Sequence, residues 1–150
     1  KIAKAVRIFA EISTKTHYTK RMIRLKNKTA ANILIAFSIF GISLALLVLM
    51  GIVPKDVVWG GRTGEGVSIY LLEAITIIVN LFIIFIVSVR ANYIKLAIKD
   101  KPIVIVLYIL MIIMILNTVG NLFAVSLFEK SLAIVTAISA FCFFSLIKRQ

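Results

Sequence analysis

Apolar residues run almost unbroken through four stretches of the chain, 30–53, 67–89, 103–125 and 131–147, and polar residues gather between them. An α-helix needs roughly 17–25 residues to cross a hydrocarbon core. The pattern therefore predicts four membrane-spanning helices, the last near the lower limit. Pro54 ends the first run and Pro102 opens the third, as expected of a residue that cannot sit inside a helix without breaking its hydrogen bonds. Ser38, Gly41 and Ala45 place small side chains on one face of span one, and Ala133, Ala137 and Ala140 do so on span four. Such faces let neighbouring helices approach closely.

Residues 1–28 follow a different pattern. Ile2, Val6, Phe9 and Ile12 recur at helical spacing, with Lys1, Lys4, Arg7 and Glu11 between them. That spacing predicts a basic amphipathic helix lying on the membrane surface. The polar stretch 13–19 interrupts it, and Met22, Ile23 and Leu25 resume it weakly. The expected organisation is a basic arm, 1–28, followed by a four-span domain, 29–150. The expected fold is all-α: a four-helix transmembrane bundle with a basic amphipathic N-terminal helix.

Composition agrees. Hydrophobic residues make up 61% of the chain and charged residues 16%, with a mean hydropathy of +1.07. That is too little charge to cover the surface of a soluble domain of 150 residues.

The net charge of +12 changes the picture only through its distribution. In a soluble protein it would suggest nucleic acid. Here the cations flank apolar runs, and no aromatic platform accompanies them, so nucleic acid is not an expected partner. The arm, the loop between spans two and three, and the tail hold nine, four and two Lys/Arg, fifteen of eighteen. Lys55, Arg62 and Lys130 occupy the other two loops. The bias predicts one fixed topology with both termini cytoplasmic, in a cytoplasmic membrane, and argues against a dual-topology dimer. A cleavable signal does not fit the long basic region and long first span. The arm either sets topology or also binds anionic lipid or a partner. The expected partners are the bilayer, anionic lipids at the arm, and a protein partner or a second copy.

The first loop, 54–66, carries Trp59, Gly60, Gly61, Arg62, Gly64 and Gly66. A phosphate loop would need Lys-Ser/Thr after the last glycine and a strand before it, and both are missing. A tight, lid-like loop presenting Trp59 at the membrane interface fits better.

Candidate chemistry lies in spans two and three. Span two contains Glu73 and Asn80; span three contains Asn117, Thr118, Gly120 and Asn121. A charge in hydrocarbon costs roughly 2.5 kcal/mol or more on insertion scales and turns inward to partners. At 1.5 Å per residue, Glu73 lies about 9 Å below the outer end of its span, and Asn117 and Asn121 about 12 and 6 Å below theirs. The expected site is an outward-facing cavity lined by Glu73, Asn117 and Asn121, with Asn80 at its floor. Arg62 would reach down as counter-charge, Trp59 would close the top, and Tyr70 and Thr118 would add hydroxyls. If Arg62 pairs with Glu73, the cluster is a structural clasp. If it does not, the cluster is a proton-coupled or cation-binding site.

His17 and Cys142 are each the only residue of their kind, so no metal cluster or intrachain disulfide is expected. No nucleophile–base pair or cofactor fingerprint is present, and neither an enzyme nor a cofactor is expected.

The loop Val58-Trp59-Gly60-Gly61-Arg62, and the run 116–122 (LNTVGNL) followed by Phe128-Glu129-Lys130, resemble a group of small bacterial four-span membrane proteins. The resemblance covers the four spans and not the arm. It transfers no activity, and it implies that Trp59, Arg62, Glu73, Asn117 and Asn121 belong together. Small multidrug exporters carry their membrane glutamate in the first span, which has no acid here. Four-span fluoride channels differ in their polar residues and topology. The functional expectation is a polar pocket for a small polar or cationic ligand or a lipid headgroup, with proton-coupled transport as one form of it. The alternative is a non-catalytic accessory, immunity or assembly subunit.

Overall fold

The computed structural model describes residues 27–54, 58 and 68–148. These form four long α-helices: α1 (Asn27–Leu49), α2 (Ile69–Arg90), α3 (Asp100–Leu122) and α4 (Leu127–Ile147). At 21–23 residues they are about 31–35 Å long, against a hydrocarbon core of about 30 Å. All four are long and apolar enough to cross a membrane, and the chain is a multi-pass helical membrane protein. The basic arm lies outside the described residues, except that Asn27 and Lys28 already belong to α1.

Local chemistry places the helix ends differently from the apolar runs. Span one was expected to reach residue 53, but α1 stops at Leu49. Gly51 turns the chain with φ +72°. Its N–H donates to the Val48 carbonyl and that of Ile52 to Leu47, both at 3.0 Å. This paired arrangement satisfies carbonyls left over at a helix end, and its left-handed residue favours glycine. Asn92 does the same after α2, with φ 59°, Asn92 N–H on Val89 at 3.1 Å and Tyr93 N–H on Ser88 at 2.8 Å. At the start of α3, Asp100 occupies the first turn, where the helix dipole favours an acid. Pro102 follows where its missing N–H is not needed.

The fourth span was expected from residue 131, yet α4 begins at Leu127. The Ser126 hydroxyl accepts the Phe128 N–H at 3.2 Å, and Ser126-Leu127-Phe128-Glu129 has the spacing of a capping box. Glu129 and Lys130, expected in a loop, are therefore helical.

Contacts at one end of the bundle fix the order of the helices. Arg90, the last residue of α2, donates from Nε to the Leu146 carbonyl in the last turn of α4, at 3.0 Å. Its Nη1 lies 3.2 Å from Asp100 Oδ1 at the start of α3. Just beyond, the Tyr93 hydroxyl donates to Asn32 Oδ1 on α1 at 2.6 Å, and the Lys28 ammonium stands 5.6 Å from the Tyr93 ring centre. The starts of α1 and α3 thus meet the ends of α2 and α4, an up-down-up-down arrangement. α3 lies chiefly against α4.

The main apolar cluster lies at this Arg90 end. Ala31 and Leu34 of α1, Ile83 and Val87 of α2, Leu107 and Leu110 of α3, and Phe143 and Leu146 of α4 are buried together. Cys142 is a free thiol inside the same cluster, and Met111 and Met114 pack against its edge. On the small-residue faces, Ser38, Ala45 and Ala133 are buried, whereas Ala137 is exposed. Span four therefore uses only part of its expected alanine face.

Candidate functional site

The inward stripe of each helix changes character toward the opposite end of the bundle. On α2 it passes from Arg90 through Val87 and Ile83 to Asn80, Thr76 and Glu73. On α4 it passes from Leu146 and Phe143 to Ser139, Thr136, Ala133 and Glu129. On α3 it passes from Leu107 and Leu110 to Met114, Thr118 and Asn121. Successive inward positions lie three or four residues apart, so the polar residues inherit the core-facing side of an amphipathic helix. The Glu73 end has a polar interior and the Arg90 end an apolar one.

Two carboxylates anchor that polar half. Glu73 is 1% exposed and Glu129 4% exposed. Glu73 is the fifth residue of α2, and Glu129 lies in the first turn of α4. For Glu129 the positive end of the α4 dipole offsets part of the cost of keeping an acid there. Both carboxylates have interaction partners in the structure.

Neutral polar groups fill in below. The Thr118 hydroxyl bonds to Thr136 Oγ1 at 2.9 Å and donates toward the Met114 carbonyl at 2.8 Å, tying α3 to α4. Asn80 donates from Nδ2 to the Thr76 carbonyl at 2.8 Å. A Cβ on Gly41 of α1 would lie 3.2 Å from both Asn80 amide heteroatoms. The missing side chain of Gly41 thus lets α1 close on the Asn80 amide. Asn80 lies toward the middle of α2, seven residues and two turns below Glu73 on the same face.

Not every residue expected in the site turns inward. Asn121 is half-buried. Asn117 is exposed, at the edge of the buried stripe of α3, which corrects the expectation that both amides turn inward together. The two are only 40° apart around the helix, and the edge of the buried stripe falls between them. Thr118, one residue further and 100° round, takes the inward place. Tyr70, in the first turn of α2, is 70% exposed and points away from the interior. Trp59 and Arg62 lie outside the described residues, as does any pairing of Arg62 with Glu73. Among the described residues, no group of three or more His, Cys, Asp or Glu is placed to hold a metal ion.

Glu129 was missed as a site residue because it reads as part of a short loop. Its signal was the serine three residues earlier, which starts the helix in time to carry the acid inside. Arg90 reads in the sequence as one of the four cations between spans two and three, yet it is the last residue of α2 and is 3% exposed.

No family model, no curated protein and no solved structure matches this chain.

Proposed function

We propose that this is a non-enzymatic integral protein of a bacterial cytoplasmic membrane, with both termini cytoplasmic, whose Glu73 end takes a small cationic ligand from the outside. Glu73 and Glu129 supply the charge. Asn121, Thr118 and Thr136 supply neutral oxygens, and Asn80 stands below them. Proton-coupled transport is one use of such a site. The observation that carries the reading is the burial of two acids from different helices, 1% and 4% exposed, in the same half of a membrane bundle. Ionisable groups inside a membrane are costly and mark ligand or ion pathways by default. The bias of fifteen cations against three supports the orientation through the positive-inside rule. In that orientation the cations of residues 1–28 are on the cytoplasmic side, which favours anionic lipid as their partner.

A second reading is favoured by a specific fact, that both acids already have partners. In it the cluster is a structural clasp within an accessory, immunity or assembly subunit. Thermal unfolding of the purified protein in micelles separates the two, with methylammonium, sodium or potassium added at constant ionic strength. A ligand that binds only the folded state adds about 2.7 kcal/mol of stability at a hundred times its Kd. The binding reading expects such a gain with at least one cation, and its loss in folded Glu73→Gln and Glu129→Gln variants. The clasp reading expects no gain with any cation, and lower baseline stability in both variants.

A further inference from the structure

The segment that joins α2 to α3 at the Arg90 end is built unlike a connection made for water. Residues 91–99 read ANYIKLAIK. Loops in water draw on Gly, Pro, Asn, Asp and Ser, and of these the segment holds Asn92 alone. Tyr93, Ile94, Leu96 and Ile98 are all exposed. Lys95 and Lys99, with Lys101 just inside α3, are exposed beside them. Ile94, Leu96 and Ile98 alternate with Lys95, Ala97 and Lys99 along a stretch outside any helix. That spacing gives an extended chain an apolar and a cationic side.

The fold fixes where this segment sits. The Arg90–Asp100 pair at 3.2 Å closes its base, and the Tyr93 hydroxyl on Asn32 Oδ1 at 2.6 Å holds it against α1. It therefore lies at the level where α2 ends and α3 begins, which in a membrane is the boundary between acyl chains and headgroups. Lys28 in the first turn of α1 and Lys148 at the end of α4 are exposed at the same end of the bundle. Among the described residues the one acid at this end is Asp100, and Arg90 engages it.

We infer that this segment is a docking surface for anionic phospholipid in the leaflet at the Arg90 end. Tyr93, Ile94, Leu96 and Ile98 enter the upper acyl region. Lys95, Lys99 and Lys101 pair with headgroup phosphates, their methylene stems lying along the apolar surface. An anionic lipid joins an apolar body to a negative charge at that depth, which is the complement of this loop. Other segments of the chain carry the wrong charge. Residues 1–28 hold nine Lys/Arg against one acid, and a second copy would bring the same lysines, so both are repelled. The surface is separate from the basic arm and needs no ligand at the Glu73 end.

The test places a fluorescent label on Leu96→Cys in the full-length protein with Cys142→Ala. The protein is reconstituted in vesicles of phosphatidylcholine and phosphatidylglycerol, one of which carries a quenching nitroxide near the top of its acyl chain. Either lipid is expected to quench the label, phosphatidylglycerol more than its share of the membrane accounts for. Lys95→Gln, Lys99→Gln and Lys101→Gln together leave the helical circular dichroism unchanged and lower that preference about fivefold or more, the effect of at least one lysine at an anionic surface. Arginine at the same three positions keeps it. A label on Phe123→Cys, exposed at the Glu73 end, shows little preference. A Leu96 label that neither lipid quenches, as when the arm, a second copy or an acidic protein covers the segment, overturns the inference. So does a preference equal to that at Phe123, or one unchanged by the glutamine substitutions.

Discussion

Arg90 and Leu146 stand 56 positions apart in the chain, and the guanidinium Nε–H of the first donates to the backbone carbonyl of the second at 3.0 Å. The last carbonyls of α4 have no partner within their own helix. A cation from another helix supplies a charge-assisted donor at the negative end of the dipole. The same guanidinium reaches Asp100 at 3.2 Å, so one side chain joins three helices above the apolar core.

The two halves of that clasp contribute unequally. Arg90 is 3% exposed, whereas Asp100 is 87% exposed. A hydrogen bond from a charged group contributes about 1.5–3 kcal/mol when buried, and an exposed ion pair under about 1 kcal/mol. Arg90→Lys loses the fork that serves two acceptors at once and is expected to cost about 2 kcal/mol. Asp100→Asn is expected to cost a fraction of that. Reversible unfolding in mixed micelles reads both.

Asn92 holds φ 59° as the chain leaves α2. Side chains other than glycine lose roughly 1–2 kcal/mol in that conformation, and asparagine is the best tolerated of them. Asn92→Gly is therefore expected to leave stability near its starting value. Asn92→Val, branched at Cβ, is expected to lower it by about 1–2 kcal/mol. Hydrogen exchange at the Tyr93 amide, which the turn holds on Ser88, should quicken in the valine variant only.

Gly41 and Asn80 are coupled through a gap too narrow for a methyl group, 3.2 Å from a Cβ position to the amide. Alanine in place of glycine gains about 1 kcal/mol of helix propensity and meets the Asn80 amide. A double-mutant cycle separates the two effects. Gly41→Ala is expected to be more favourable by about 1 kcal/mol in an Asn80→Ala background than in the unsubstituted chain. Equal effects in both backgrounds would mean that α1 does not close on Asn80.

Much of this architecture is legible in the order of residues, and the remainder has physical reasons for being hidden. Four apolar runs of about 20 residues announce four helices, because a helix alone satisfies all its backbone groups in lipid within one segment. The ends are less legible. Gly51 and Asn92 stop helices by turning left-handed, and Ser126 starts one by capping it, all inside or beside apolar runs that read as continuous. The inward turn of Glu73 follows from the cost of an acid in hydrocarbon. The exposure of Asn117 does not follow from spacing alone, since an arc of only 40° separates it from half-buried Asn121. The role of Arg90 depends on a carbonyl 56 residues away, which local pattern does not reveal.

The central claim is that the Glu73 end holds a wet, cation-favouring interior open to the outside. Thr76 shares the inward face with Glu73, three residues on, with their Cβ atoms about 5–6 Å apart. The measurement is the reaction rate of Thr76→Cys, in a Cys142→Ala background in intact cells, with two membrane-impermeant thiosulfonates of similar size and opposite charge. Even at the dielectric of water, a carboxylate about 6 Å away separates the two rates by about tenfold. The account predicts that the cationic reagent reacts at least about tenfold faster, and that Glu73→Gln brings the two rates together. An unreactive cysteine, or equal rates with Glu73 intact, would contradict it.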